Sequence, residues 1–574
     1  MNARIAHELP IGIIELMATT PHVPALLRGT ETHDPACKLV CQLLRHTDDR
    51  QFIHTLVLAS LPSNYQGNTP SEIESMIEWA IANPPAPGPR PKSGQTAAQA
   101  AMEIPAVRDM HLFHTSLKEA YASVTTVAGG PLTLRLKEEM FKLWLQGQHY
   151  ATFKRSLSDK IIQEIIEQLS ARALFEGPEE VVHLRYAKHE SDVWVDLGDE
   201  SGAAVRITST GWSIERTHDV RFRRGSGMLA LPEPVEGGDI CTLQNLTGLE
   251  DTNWKRVVAF LVNCMRPGGP FFALLIEGQQ GSGKSVRASI IKRIVDPHRL
   301  DRIRLPSNEH DLIIQAQESL LLNFDNTSRV SNNLSDSLCA LLTRTSFGTR
   351  KYYTDNELRI IEACRPVVIN GIGEYARRPD LVDRSIPLNL PAITGPRSTE
   401  DELQTKLTTI LPAMLGVFYN AVSRALRKWS TVRLDTSIRM ADAARWITAA
   451  EEEFGFVSGE LVSAILEGQS VLLADVVVND PLYLALMRIV GDGPYTGMMS
   501  DLHECIRIVG ENEKGLPSTA AHLSNALQRL VPAGASLGLH IELLTRSHKG
   551  RQVRVWRDGQ ENQKSGKWVR PTPI

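Results

Sequence analysis

The residues best suited to chemistry in this chain form a glycine-rich loop that ends in a lysine and a serine. The loop reads Gly278-Gln279-Gln280-Gly281-Ser282-Gly283-Lys284-Ser285 and is followed by Val286. This spacing fits GxxxxGK[ST], in which backbone N–H groups face phosphates, the lysine reaches the β- and γ-phosphates and the hydroxyl binds Mg²⁺. The sequence therefore predicts that this loop, with Val286, binds ATP and that Ser285 is a Mg²⁺ ligand.

The segments on either side of the loop are those that a phosphate site needs. Phe271–Ile276 is a short apolar run, typical of a buried parallel strand, and Val286–Ile294 reads as a helix. A loop between them lies at the helix N-terminus, where the partial positive charge favours phosphate. The pattern predicts an α/β core built on a parallel sheet; the alternative is a glycine-rich turn that only resembles the motif.

Three further positions follow or precede apolar runs in the same region. One run ends in Asp325, whose carboxylate would hold Mg²⁺ together with Ser285. The alternative for Asp325 is a core strand that runs into a turn. A second run ends in Asn370, whose amide could orient the attacking water, and Arg384 stands just before a third run.

This order of motifs resembles that of AAA+ ATPases. It is most similar to the superfamily 3 replicative helicases of viruses, phages and integrated elements, and to minichromosome-maintenance-type helicases. The resemblance covers residues 250–450 well and the C-terminal segment loosely. It implies a P-loop AAA+ core with a helical lid, ATPase activity, and assembly into a homo-oligomeric ring, expected to be a hexamer.

The resemblance also implies roles for individual residues. It makes Asp325 the Walker B acid, Asn370 the sensor-1 residue and Arg384 the arginine finger, with Arg378 as the alternative finger. Arg439 resembles a sensor-2 arginine on a lid helix; the other reading is a surface arginine on an amphipathic helix.

The chain departs from the family pattern at Asn326. The family usually has a second acid after the Walker B residue, which takes a proton from the attacking water. An amide can orient water but cannot accept its proton. The sequence therefore predicts ATP binding, with slow hydrolysis or with a base supplied from elsewhere.

A hairpin is predicted over Thr349–Ile361, where two β-prone runs flank a polar turn. In the resembled helicases an inserted hairpin at this place projects into a pore and grips DNA. Arg350, Lys351 and Arg359 are its candidate phosphate contacts. The turn itself, Asp355–Glu357, is acidic, which leaves a purely structural hairpin as the alternative.

The C-terminal segment predicts a second DNA-binding module. Two helical patterns are followed by two strand patterns, the arrangement of a winged helix-turn-helix. Four basic residues lie at the wing, which suits phosphate binding: Arg546, Lys549, Arg551 and Arg554. Winged helices also bind proteins, so that alternative stays open.

Changes in composition and clusters of proline and glycine divide the chain into seven parts. They are a helical module weakly similar to primase-associated helical domains (1–83), a proline-rich linker (84–105), a mixed α+β domain (106–236), the ATPase core (237–395), a helical lid (396–485), a winged-helix-like domain (486–560) and a flexible tail (561–574).

Bulk properties exclude several classes of protein. The net charge of -4 excludes a globally basic nucleic-acid binder, so DNA contacts must come from local basic surfaces. We expect no membrane segment, since no run approaches the roughly 20 apolar residues needed to span a bilayer. Seven scattered cysteines fit a reducing cytoplasm.

The function predicted from these features is that of an ATP-dependent DNA helicase or translocase for replication of a phage or mobile element. A primase or another replication protein is a possible partner. The alternative is an ATP-switched DNA-binding protein, such as a regulator, loader or defence ATPase, that does not unwind DNA. Asn326 and the acidic hairpin turn favour the alternative, whereas Arg384 and the wing favour the helicase.

Overall fold

The structure is a computed structural model of the 574-residue chain. It describes residues 17, 20, 22–29, 32–44, 47, 49–82, 95–126, 129–350, 358–371, 378–393, 395, 398–491, 493–510, 515–547 and 550–561.

The described residues form a mixed α/β protein. The helices are α1 (His22–Leu27), α2 (His33–Leu43), α3 (Arg50–Ala59), α4 (Thr69–Ala82), α5 (Ala97–Met102), α6 (Pro105–Arg108), α7 (Glu139–Phe153), α8 (Asp159–Phe175), α9 (Ile240–Thr247), α10 (Asp251–Cys264), α11 (Lys284–Val295), α12 (Glu309–Glu318), α13 (Asn332–Leu342), α14 (Pro379–Val382), α15 (Glu400–Lys428), α16 (Ala441–Ala450), α17 (Glu460–Val478), α18 (Pro481–Ile489), α19 (Met499–Val509) and α20 (Ala520–Ser536). The strands are β1 (His111–His114), β2 (Ala120–Thr125), β3 (Pro131–Arg135), β4 (Val182–His183), β5 (Tyr186–His189), β6 (Asp192–Asp196), β7 (Ala204–Thr208), β8 (Gly211–Glu215), β9 (Arg221–Phe222), β10 (Ala273–Gly278), β11 (Leu322–Thr327), β12 (Thr345–Arg350), β13 (Leu358–Ala363), β14 (Val367–Gly371), β15 (Ser385–Leu390), β16 (Tyr495–Met498), β17 (Leu539–Ser547) and β18 (Gly550–Arg557).

The chain divides into two compact units, one of residues 1–108 and 142–165 and the other of residues 109–141 and 166–574. In the first unit, α1 to α4 enclose a small apolar core that includes Leu39, Ile53 and Ile77. Most of the predicted linker, residues 84–94, lies outside the described residues. Its last part forms α5, because a reciprocal capping box joins Thr96 and Gln99 at the helix start.

The second unit begins with two antiparallel sheets, β1-β2-β3 and β5-β6-β7-β8. Arg185 anchors the second of these sheets. Its guanidinium is fully buried, pairs with Asp296 at 3.2 Å and donates to backbone carbonyls on both sides. Lys292 of α11 also pairs with Asp296, at 2.9 Å. A buried charge is tolerated only with partners of this kind, so the network fixes the sheet against the helix after the glycine-rich loop.

A four-stranded parallel sheet lies at the centre of this unit, in the order β11-β14-β10-β15. Its strands are apolar on both faces, as parallel strands covered on both sides must be. Leu274 and Ile276 pack with α11 residues in one hydrophobic cluster, and Leu275 packs with α12 and α13 residues in another. Because the four strands are parallel, their carboxyl ends all lie at one edge of the sheet.

Two helices of the second unit, α15 and α17, are long and apolar enough to cross a membrane by length and composition alone. Helices in the core of a soluble protein meet the same criterion, and both α15 and α17 contribute residues to the hydrophobic cluster around the parallel sheet. The expectation of no membrane segment stays a prediction.

The end of the chain folds around a three-stranded sheet in the order β16-β18-β17. Helices α19 and α20 precede the β17–β18 hairpin and pack on this sheet through a separate core that includes Leu502, Leu523, Leu527 and Val553. This element order is the one expected for the C-terminal module. The predicted tail beyond residue 561 lies outside the described residues.

Candidate nucleotide and DNA sites

The glycine-rich loop joins β10 to α11, at the carboxyl edge of the parallel sheet. Gly278 has φ +150° and Gly283 has φ +75°, conformations that residues with a Cβ rarely adopt. A Cβ on Gly278 would lie 2.5 Å from the Leu390 carbonyl oxygen, and one on Gly283 would lie 2.4 Å from Arg287 Nη1. Gly278 therefore needs glycine for backbone and space, and Gly283 needs it for its backbone conformation, since the arginine end can move.

Lys284 is folded back over the loop. Its Nζ donates to the carbonyl oxygens of Gly278 at 2.7 Å and Gln279 at 2.8 Å, and the side chain is 8% exposed. Burial lowers the pKa of Lys284 below its ordinary value, and the nearby Asp325 carboxylate opposes that shift. Among the described residues, the ammonium group thus donates only to neutral carbonyls of the loop.

The two predicted Mg²⁺ ligands lie in direct contact. Ser285 Oγ donates to Asp325 Oδ1 at 2.8 Å. Asp325 lies near the end of β11, two strands away from β10, and β14 fills the position between them. A hydroxyl and a carboxylate from separate elements are thereby brought to the foot of the same loop.

Asn370 lies in the strand between the loop and Asp325. It is buried, and its Oδ1 accepts a hydrogen bond from the Asn326 N–H at 3.1 Å. Its Nδ2 has no hydrogen-bond partner among the described residues. Asn326 has φ +55°, the left-handed region in which asparagine is better tolerated than most residues. A buried donor without a partner is rare in native proteins and is common where a ligand is missing.

Arg287, on the first turn of α11, is a residue of this site that the motif did not reveal. Its Nη1 donates to the Ser282 carbonyl and its Nε to the Thr247 carbonyl, both at 2.8 Å. The guanidinium therefore ties the loop to the end of α9. No local sequence signal identifies it, because both acceptors are backbone atoms and one is distant in sequence.

The three candidate arginines lie around the short helix α14 or just before α16. Arg384 Nη1 donates to the Asp380 carbonyl at 2.7 Å, and its Nε is buried without a partner in the described part of the chain. Arg378 pairs with Asp336 at 2.7 Å and with Asp380 at 2.8 Å. Arg439 lies in a turn two residues before α16, is 50% exposed and is 3.8 Å from Asp383.

The expected hairpin is present as β12 and β13, with Thr345 opposite Ala363 and Arg350 opposite Leu358. Arg350 and Arg359 lie on its strands, and only their backbone is described. Lys351 and the acidic turn lie outside the described residues.

At the C-terminal module, the segment predicted to form a wing lies on the antiparallel pair β17 and β18, in which Arg546 is opposite Arg551. Arg551 Nη1 donates to Ser524 Oγ of α20 at 3.3 Å, and the Arg554 guanidinium lies 4.9 Å above the Trp556 ring. Lys549 lies outside the described residues.

Helix α20 presents a continuous exposed polar face next to this wing. That face consists of His522, Asn525, Gln528 and Arg529, while Leu523 and Leu527 on the opposite side are buried. Amide and guanidinium groups are the side chains that read base edges in a major groove.

Comparison with known proteins adds a family match for the core. Residues 240–467 match the model of a family described as "Actinomycete integrative conjugative element replication protein", which is less than half of the chain and runs from the start of α9 into α17. The match supports a role in the replication of a mobile element. No curated protein sequence matches the chain significantly.

Similar solved structures include "The A form apo structure of NrS-1 C terminal region-CTR", at 11% identity and a TM-score of 0.37, with 79% of this chain and 98% of that chain covered. Another is "JCV Helicase" with a bound acetamide compound, at 11% identity and a TM-score of 0.19, with 40% of this chain and 72% of that chain covered. At these TM-scores neither likeness defines a shared fold.

Proposed function

We propose that this protein is an ATP-dependent DNA helicase or translocase that acts in the replication of a mobile genetic element. The observation that carries the proposal is the contact between Ser285 and Asp325 at the foot of a glycine-rich loop. The family match over residues 240–467 supplies the replication context.

The residues at the loop fit ATP and Mg²⁺. Gly278 and Gly283 leave space that a Cβ would fill, and Ser282 Oγ is buried without a hydrogen-bond partner among the described residues. Lys284 Nζ donates to two carbonyls and to no carboxylate of a described residue. When bound, Mg²⁺ would neutralise negative charge on the phosphates. Ser285 and Asp325 would hold it, each with an oxygen of the kind that Mg²⁺ prefers.

The protein's own groups would act on the phosphates and on the attacking water. Lys284 would exchange its two carbonyl acceptors for β- and γ-phosphate oxygens, which bind an ammonium more strongly because they are charged. The free Nδ2 of Asn370 would donate to the γ-phosphate or the water. Arg384, or Arg378, would reach a neighbouring subunit of a ring, which we expect to be hexameric.

DNA would be contacted at two places, the β12–β13 hairpin and the C-terminal wing with α20. The wing carries cations and α20 carries amides, a combination of phosphate and base contacts. The remaining predictions, a cytoplasmic location and a primase or similar partner, belong to the same proposal.

A second candidate function is an ATP-switched DNA-binding protein without unwinding activity. The observation that favours it is Asn326, which offers an amide where related ATPases have a proton acceptor. In that case ATP would bind and change assembly, and turnover would be slow.

Replacing Lys284 separates a nucleotide site from a structural turn. Lys284→Ala should abolish ATP binding or reduce hydrolysis by at least ten-fold while thermal unfolding stays close to wild type, because the ammonium faces the loop and not the core. Lys406→Ala, at an exposed lysine of α15, is the matched control and should hydrolyse ATP normally. Turnover at the wild-type rate in Lys284→Ala would refute the site.

Single-turnover ATP hydrolysis with and without single-stranded DNA, together with strand displacement, separates the two functions. A helicase should show DNA-stimulated hydrolysis and ATP-dependent displacement. Tight ATP-dependent DNA binding without displacement would establish the switch instead.

A further inference from the structure

A cavity of about 370 Å³ lies in the second unit, at the end of the β12–β13 hairpin away from its turn. Its walls come from residues 115–121, residues 179–186, the loop after α10 and the segment Ile361–Arg365. The volume is within the range of about 300–1,000 Å³ typical of small-molecule sites. The cavity is separate from the glycine-rich loop.

The charged lining of this cavity comprises four glutamates and five arginines. The arginines are Arg135, Arg223, Arg266, Arg344 and Arg365. Two of them are neutralised by acids: Arg135 pairs with Glu119, and Arg223 pairs with Glu318 at 2.8 Å and with Glu138 at 3.2 Å.

The other three form no ion pair with any described residue. Among the described residues, Arg365 donates only to neutral carbonyls, from Nε to Ala316 at 2.8 Å and from Nη1 to Cys364 at 2.9 Å. Arg266 lies 5.2 Å above the Trp429 ring, and its Nη1 is buried with no hydrogen-bond partner in the described part of the chain. Arg344 is exposed at the mouth. Burial lowers the pKa of Arg365 to about 10 and that of Arg266 below its ordinary value, as expected for cations that lack an anion.

The acids in the cavity wall do not supply that anion. Glu180 is bound by Arg221 and His111, each at 2.6 Å, and Glu179 pairs with Lys118 at 3.6 Å. Glu362 is exposed. Three arginines without an acid partner among the described residues thus line a space in which each glutamate is either paired with another cation or exposed. A partly buried cation is costly unless it is paired, so the cavity is complete only with an anion in it.

We propose that this cavity binds a phosphate group, carried by a nucleotide of single-stranded DNA or free in solution. Guanidinium groups bind phosphate oxygens through paired, charge-assisted hydrogen bonds, and Arg266 Nη1 is a buried donor without a partner among the described residues. Arg344 directly precedes β12, and Arg365 lies two residues after the end of β13. A phosphate held between them would fix the end of the hairpin from which its DNA-contacting strands extend.

The test compares two arginines that contact the same tryptophan, in the whole 574-residue chain. Arg445 lies 4.8 Å above Trp429, donates to the Trp429 carbonyl at 2.9 Å and has a buried Nε without a partner among the described residues, but it does not line the cavity. Arg445→Gln is therefore the matched control for Arg266→Gln, since both remove a cation from one ring.

Two probes distinguish the sources of phosphate. A fluorescent oligo(dT) without nucleotide, read by anisotropy, reports DNA; inorganic pyrophosphate, read by thermal stabilisation in a Lys284→Ala background, reports free phosphate. Arg266→Gln should weaken binding of at least one probe by about ten-fold relative to Arg445→Gln. Loss of oligo(dT) binding alone would assign DNA, and loss of pyrophosphate binding alone would assign a free ligand.

Equal binding of both probes by Arg266→Gln and Arg445→Gln would refute the proposal, whether both match wild type or both fall together. Arg344→Gln keeps the test available if Arg266→Gln does not fold, because the Arg344 side chain is exposed. Arg344→Gln should weaken binding of the same probe that Arg266→Gln affects. Neither probe requires ATP turnover, so a failure here is distinct from a failure of the proposed ATPase.

Discussion

At the scale of single residues, the conformation of Asn326 bears directly on the missing base. Its φ of +55° is better tolerated by asparagine, aspartate or glycine than by glutamate, and its N–H is held by Asn370 Oδ1. A glutamate at this position would have to adopt a left-handed conformation, at a cost on the order of 1–3 kcal/mol. Aspartate is therefore the acid that this backbone accepts most readily.

Asn326→Asp should accelerate ATP hydrolysis if proton transfer limits the rate. General bases contribute about 10²–10⁴-fold, so a gain of ten-fold or more is expected in single-turnover assays. Asn326→Gly is the matched control, because it keeps the left-handed conformation without a carboxylate, and it should give no gain. Asp325→Asn should lower the rate. Equal rates for the aspartate and glycine variants would mean that the base lies elsewhere.

At the scale of elements, a buried acid, Glu451, lies between α16 and α17 and accepts hydrogen bonds from the backbone at the start of α17. Glu451 is fully buried and accepts hydrogen bonds from the backbone N–H groups of Gly459 and of Leu461, the latter at 3.1 Å. Burial raises the pKa of Glu451 to about 7, and the two hydrogen bonds only partly offset that effect. The folded protein therefore holds a proton that the unfolded chain releases near its ordinary pKa of about 4.3.

This proton makes the stability of the folded protein depend on pH in a definite direction. Between about pH 4.3 and 7 the unfolded state binds fewer protons than the folded state, so the contribution of Glu451 to stability falls as pH rises. Glu451→Gln mimics the protonated acid and should match wild type near pH 4.5 but unfold a few degrees higher at pH 8. Exposed Glu453→Gln is the control. A difference in unfolding temperature that does not change with pH would contradict the assigned pKa.

The wing is the second element with a measurable prediction. Replacing Arg546, Arg551 and Arg554 together by glutamine should weaken duplex binding. It should also reduce the slope of log affinity against log salt by up to about three, because binding with fewer phosphate contacts releases fewer counterions from the DNA. Arg507→Gln, at an exposed arginine of α19, is the control. A triple variant that binds duplex normally at several salt concentrations would indicate a protein-binding module.

How much of the molecule could be predicted from sequence depends on how local the signal is. The loop, the apolar strands and the wing hairpin are encoded in short patterns, and the contact between Ser285 and Asp325 follows from them once the strands are parallel. Arg287 and Arg266 carry no such pattern, because their partners are a backbone carbonyl and an aromatic ring distant in sequence. Positions of that kind emerge only from tertiary packing.

At the scale of the whole molecule, the separation between Arg384 and the glycine-rich loop raises the question of assembly. Arg384 follows α14 and precedes β15, the edge strand next to β10. Among the described residues its one hydrogen-bond acceptor is the carbonyl of Asp380. Arg378 is already paired with two acids. Arg384 can leave its single carbonyl acceptor more easily than Arg378 can leave two ion pairs, so it is the better candidate to reach a neighbouring subunit.

Arg384→Ala should therefore bind ATP nearly normally and hydrolyse it poorly, since a finger arginine is worth roughly 10³–10⁵ in rate in other phosphoryl-transfer enzymes. Wild-type turnover per subunit should rise with protein concentration as the ring closes. Mixing Arg384→Ala with Lys284→Ala should restore part of the activity, because some interfaces then combine an intact loop with an intact finger. Turnover that is independent of concentration, with no recovery on mixing, would place Arg384 in a role within its own subunit and make Arg378→Ala the next variant to measure.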